Sequence, residues 1–234
     1  MRRLCGWNWA LALVLVWTPA ARADLLTSSG GLNGLGSFAG SFTYTPTDAT
    51  TGSLAVELTN SSDPARGGFL TAFVFNNPGG KITGVSLTGA PAHFALIAGG
   101  YDNGINGAPF GQFDIGVSTG GSFEGGGNPS GGLGVGLSGT FHFTLTGAGL
   151  NTLDTASFFN TLSVPPGAGE GTQAFVARFR GFQPSGSDKV PGVLTPDDIT
   201  TADVLPEPAS CVLAVGGAGL ALLGWRSRKK RSPA

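Results

Sequence analysis

Seven residues, Thr140-Phe-His-Phe-Thr-Leu-Thr146, alternate without exception between apolar and polar side chains. A period of two belongs to a β-strand, with Phe141, Phe143 and Leu145 on one face and Thr140, His142, Thr144 and Thr146 on the other. A strand wet on one face suits an antiparallel sheet. The same period recurs at Phe38–Tyr44, where Phe38, Gly40, Phe42 and Tyr44 share a face, and at Leu54, Val56 and Leu58. Phe69–Phe75 is apolar on nearly both faces and reads as a covered central strand. Lys81–Leu87, His93–Ala98 and Gln112–Ser118 follow as further strands, and Ala174–Phe182 as the last, with Arg178 and Arg180 pointing outward. Between the runs lie turn clusters such as Asn76-Asn77-Pro78-Gly79-Gly80. Asn151–Asn160 has the pattern of a short helix with Asp154 near its start. The expectation is an all-β domain of about eight to ten strands. Two antiparallel sheets packed face to face, a β-sandwich of the jelly-roll or immunoglobulin-like kind, would bury the phenylalanine faces.

The two ends of the chain follow other rules. Met1-Arg-Arg precedes an apolar run from Trp9 to Trp17 and a small-residue pattern, Ala21-Arg22-Ala23, ahead of Asp24. That is the layout of a secretory signal peptide over 1–23, cleaved before Asp24. At the other end, Pro206-Glu207-Pro208 is followed by an uncharged apolar stretch over 209–225. Five cations follow: Arg226, Arg228, Lys229, Lys230 and Arg231. The prolines exclude a continuous helix and leave a stiff, protease-accessible link. At 1.5 Å per residue the apolar stretch reaches roughly 25 Å, short for a hydrocarbon core of about 30 Å unless Trp225 and Arg226 extend it. The cations fix the cytoplasmic side.

The order and spacing of these three parts resemble the PEP-CTERM sorting signal of Gram-negative bacteria. The resemblance covers residues 206–231, about the last eighth of the chain. It implies one C-terminal transmembrane helix at 209–225, and an exported protein handed to an exosortase, a membrane cysteine protease that cleaves near the motif. It also implies a protein that accompanies exopolysaccharide and biofilm production. The ectodomain, 24–182, looks like the β-sandwich domains found ahead of this signal, and 183–205 reads as a polar linker. Two other readings of the tail stand beside this one. Leu205–Ala209 has a sortase-like outline but carries Pro208 and Ala209 where that signal needs Thr and Gly. An uncleaved membrane anchor would use the same helix.

Without its ends the chain is acidic. Residues 24–207 hold five cations, Arg66, Lys81, Arg178, Arg180 and Lys189, against fourteen acids, a formal net charge of −9. No basic patch is left for nucleic acid. The two cysteines, Cys5 and Cys211, both lie in the end segments. The exported part therefore has no disulfide, thiol nucleophile or cysteine metal site.

Motifs with catalytic outlines lack their context. Gly116-Val-Ser118-Thr-Gly120 matches a nucleophile elbow, but the glycine run after it cannot form the required helix. Gly134-Val-Gly-Leu-Ser-Gly139 matches a dinucleotide fingerprint but precedes a strand instead of opening a helix. His93 and His142 are the only candidate bases. Asp102-Asn103-Gly-Ile-Asn106-Gly107 begins like a calcium loop but fails the EF-hand ligand positions. Asp102, Asn103, Asn106 and Asp114 remain candidates for a looser calcium site, against the plainer reading of a turn. Tyr101 and Phe110 border this loop as either sugar-stacking rings or loop anchors. The sequence thus predicts a non-catalytic protein without a cofactor. The alternative function is a carbohydrate-binding module.

Overall fold

The computed structural model describes residues 23–165 and 169–195. The signal segment 1–22 with Ala21, and everything from 196 onward, lie outside the described residues. The latter includes Pro206, Glu207, Pro208, the apolar stretch 209–225, and Arg226, Arg228, Lys229, Lys230 and Arg231. Among the described residues no helix is long and apolar enough to cross a membrane.

The chain is mostly antiparallel β-sheet. In order come β1 (Asp24–Ser28), β2 (Phe38–Pro46), β3 (Thr51–Asn60), β4 (Gly67–Phe75), β5 (Ile82–Gly89), β6 (Ala95–Leu96), β7 (Ile105–Asn106) and β8 (Gln112–Phe113). Then follow β9 (Ile115–Ser118), β10 (Leu133–Gly134), β11 (Ser138–Gly147), α1 (Thr155–Phe159), β12 (Phe175–Phe182) and β13 (Ser187–Thr195). The expected alternation at Thr140–Thr146 lies within β11, whose Phe141, Phe143 and Leu145 are buried while His142 is exposed. Asp154 caps α1 by accepting from Ser157 N at 2.8 Å, and Ser157 Oγ in turn accepts from Asp154 N. This reciprocal pair fixes the start of the helix.

The strands differ from the expectation of two separate sheets. One hydrogen-bonded sheet runs β5-β11-β3-β2-β1-β13-β12-β4-β9-β6, with β10 also on β4, and β7 pairs with β8 apart from it. The sheet curls into a barrel-like form. Phe73 on β4 meets Phe141 on β11 at 4.8 Å between ring centres, and Phe42 on β2 meets Phe75 on β4 at 5.7 Å. Phe38 and Phe175 lie 5.7 Å apart. These strands are not sheet neighbours, so the rings meet across the interior. Such edge-on and tilted pairs each add about 0.5–1.5 kcal/mol beyond the burial itself.

The segment 183–205, expected to be a linker, and the expectation that Ala174–Phe182 is the last strand both need correcting. Ser187–Thr195 forms β13, inserted between β1 and β12. The domain therefore continues at least to Thr195. Pro191 is tolerated inside this central strand for a local reason. Its carbonyl accepts from Ser29 N at 3.0 Å, just past the end of the β1 ladder at Ser28↔Gly192. The proline nitrogen faces the same side, where no further strand pair needs a donor. Two other expected strands are shorter. Of the 93–98 run only Ala95–Leu96 is strand, starting beyond His93, which takes a left-handed φ of 71°, and Ile97 N adds one more bond to Gly116 O. The run 112–118 divides at Asp114, where the chain leaves β7 and switches to β4.

Strand β4 is buried on both faces, as its composition predicts. Its inner face joins the phenylalanine core. Its outer face carries Ala72 and Val74 under a smaller cluster with Ile97, Ile105, Phe110, Phe113, Phe123 and Val176. Phe123 is delivered by a glycine-rich strap that Glu124 fastens, at 2.8 Å to Arg178 Nη1 and 2.5 Å to Lys189 Nζ. Arg180 Nη1 donates to Gly126 O on the same strap. Arg178 and Arg180 thus do leave the core face, with Arg178 largely covered by the strap and Arg180 partly so. Burial pushes the Arg178 guanidinium down from its ordinary value, against the opposing pull of the Glu124 charge.

Candidate functional site: a cleft where β4 ends

β4 ends where β5, β9 and β12 begin, and the loops there enclose a cleft of about 590 Å³. Its walls include Asn77, Thr83, Tyr101, Asp102, Asn103, Asp114, Leu162 and Val164, with Gly79, Gly80 and Gly100 presenting bare backbone. A volume of this size lies within the usual range for small-molecule sites, about 300–1,000 Å³.

Two buried polar side chains hold the walls together. Asp114, only 8% exposed, accepts from Asn77 N at 2.7 Å through Oδ2 and from Asn103 N at 2.5 Å through Oδ1. Asn77 donates through Nδ2 to Ile82 O and to Tyr101 O, and its Oδ1 accepts from Ile82 N at 2.9 Å. One carboxylate and one carboxamide therefore join four separate chain segments. Tyr101 adds a fifth link, its hydroxyl donating to Val85 O at 3.2 Å. These same bonds occupy groups on β5, an edge strand of the sheet, which would otherwise invite another strand. The opposite wall is aliphatic. Val164 is fixed by two backbone bonds with Gln112, and Leu162 stands two residues before it.

The candidate residues are only partly brought together. Asp102, Asn103 and Asp114 share the cleft, but Asn106 does not line it, and its Oδ1 accepts from Ala108 N in a local turn. Backbone N–H groups point at both Asp114 oxygens, an arrangement suited to fixing loops more than to receiving a cation. Among the described residues no three His, Cys, Asp or Glu side chains converge as metal ligands. Phe110 is buried in the outer cluster and is a loop anchor. Tyr101 is half-buried against the core, with its hydroxyl engaged. Ser118 is buried, its Oγ accepts from Gly120 N, and a loop follows it instead of a helix. His142 is exposed on β11, whereas His93 borders a separate hollow with Thr119, Asn128 and Ser130. Gly134–Gly139 forms β10, a turn and the start of β11. Asp24, the expected new N-terminus, opens β1 opposite Phe42, and Ala23 beside it is exposed.

No family model, curated protein or solved structure matches the chain.

Sequence reasoning missed Asn77 and Asp188. Asn77 stood inside a run read only as a chain break. Asp188 stood inside the expected linker, yet it is 2% exposed and accepts from Asn33 N, Leu35 N, Gly36 N and Lys189 N. A carboxylate within a few residues of valines, as in Asp188-Lys-Val190, was the one available signal.

Proposed function

We propose that this protein is an exported, non-catalytic component of the cell envelope or extracellular matrix, delivered by its C-terminal segment. The observation carrying this reading is the ordered series Pro206-Glu207-Pro208, the apolar stretch 209–225 and the cations 226–231. In this reading the signal peptide leaves before Asp24, and an exosortase takes the protein from the inner membrane. The rest goes to the cell surface or its surroundings, among exopolysaccharide, in a structural or adhesive role.

The ectodomain is compatible with that life. It holds together without disulfides through an aromatic core, and ten residues, 196–205, separate β13 from the sorting motif. The facing halves of the curled sheet are read here as the leaves of a sandwich-like fold of the jelly-roll or immunoglobulin kind, on the strength of the Phe73–Phe141 and Phe42–Phe75 pairs.

Intact mass spectrometry of the protein from its own cells, with and without the sorting protease, tests the proposal. The expected species begins at Asp24 and ends near Pro206–Pro208 only in the parent strain. A mass retaining Arg226–Ala234 in both strains would replace the sorting reading with a permanent anchor.

A further inference from the structure

The geometry points to the cleft at the end of β4 as a binding site for a neutral, hydroxyl-rich glycan segment. The first ground is its preorganisation. Asp114 and Asn77 lock the walls in place through backbone groups of three segments, at Asn77, at Ile82 and at Tyr101 and Asn103, so a ligand would meet a rigid surface and little ordering cost.

The second ground is the chemistry left free once those bonds are made. Asp102 is exposed and keeps one carboxylate oxygen unbonded after accepting from Asn103 Nδ2 at 2.9 Å. Asn103 offers its side-chain oxygen. Gly79, Gly80 and Gly100 leave peptide groups uncovered along the floor. The polar side is therefore rich in acceptors, which calls for a ligand rich in donors. Among the described residues, two carboxylates and no Lys or Arg line the cleft, which disfavours anions.

The third ground is the aliphatic wall. Leu162 is 52% and Val164 45% exposed, two of the few large apolar side chains in the described residues left so open. Both face the same cleft, beside the half-buried Tyr101 ring. A pyranose presents hydroxyls around its rim and C–H groups on its face, which pairs with one polar wall and one apolar wall. A simple cation would use the carboxylates and leave Leu162 and Val164 in water. This inference does not depend on how the tail is processed, and either can fail alone.

The test uses the full-length protein in zwitterionic, sugar-free micelles, titrated calorimetrically with defined hexamers. The neutral set is cellohexaose, maltohexaose, laminarihexaose and xylohexaose, beside the anionic galacturonate hexamer and the cationic chitosan hexamer. At least one neutral oligomer should bind, with affinity reduced tenfold or more by Leu162→Asp and by Asn103→Ala. His142→Ala, on a remote outer face, should leave it unchanged. Both cleft side chains are exposed, so the variants should fold, which circular dichroism and thermal melting would verify. Binding of no neutral hexamer at millimolar concentration would overturn the proposal. So would tighter binding of the charged hexamers, or neutral binding indifferent to Leu162→Asp and Asn103→Ala.

Discussion

Two buried aspartates do similar work with different results. Asp188 gathers four backbone N–H groups, three of them from the single loop 33–36, and packs that loop shut against β13. Gly31 approaches so closely that a Cβ there would lie 2.2 Å from Asp188 Oδ2. Asp114 gathers two N–H groups from two different loops and leaves open space between them. A carboxylate saturated by one loop closes a surface; one shared between loops props a cleft open. The comparison teaches that burial of an acid does not by itself mark a functional site. The number of donors, and the elements they come from, decide.

The comparison can be broken by substitution. Asp188→Ala should have the largest effect, a loss of about 3–4 kcal/mol, because several shielded N–H groups lose their only acceptor. Urea unfolding of the protein would measure it, and Asp188→Asn should recover part of the loss. Asp114→Ala should cost less, about 2 kcal/mol, since two donors are orphaned and the cleft admits water to them. Its amide exchange should quicken at Asn77 and Asn103 but not at Leu35. Equal losses for the two alanine variants would remove the distinction drawn above. Gly31→Ala should cost about 1–2 kcal/mol through crowding of Asp188. Tyr101→Phe removes one hydrogen bond to Val85 O and should cost about 1 kcal/mol or less, seen as a small shift in the urea midpoint.

The smallest effect is expected at the exposed counterpart of these acids. The Ser157 hydroxyl and backbone N–H hold the Asp154 carboxyl below its ordinary value. A depressed value stabilises the fold above the unfolded-state pKa of about 3.9, and the benefit is lost as pH falls through the folded value. Asp154→Asn should therefore differ from the parent most near neutrality. Thermal melts should begin to converge only as pH falls below about 4.

How much of this could be read from the chain depends on how local the cause is. The inward phenylalanines of β11, the doubly covered β4 and the cap at Asp154 follow from neighbouring residues, and the sequence displays them. β13 could not be read this way. Pro191, Gly192 and Ser187 give it the composition of a linker, and only its two partner strands make it a strand. The curled single sheet was hidden for the same reason, because β1 and β13, whose pairing keeps it continuous, come from opposite ends of the domain. The strap over Arg178 and Arg180 depends on Glu124, more than fifty residues earlier in the chain. The cleft followed the same pattern: Asp102 and Asn103 were visible as a loop, whereas Asp114 and Asn77 matter through partners distant in sequence.

The pairing of β1 with β13 also has a mechanical consequence. Leu25 lies opposite Thr195 and Ser28 opposite Gly192, so the two ends of the domain leave side by side. A pull that separates Asp24 from Thr195 would load the β1–β13 pairs one after another, starting at the frayed end, and the strands would unzip under little force. A load between Thr195 and Ser28, the far end of β1, runs along the pair instead, and its bonds bear the load together. Gripped at Ser28 and Thr195 the two strands would resist as a shear joint; gripped at Asp24 and Thr195 they would open as a zipper.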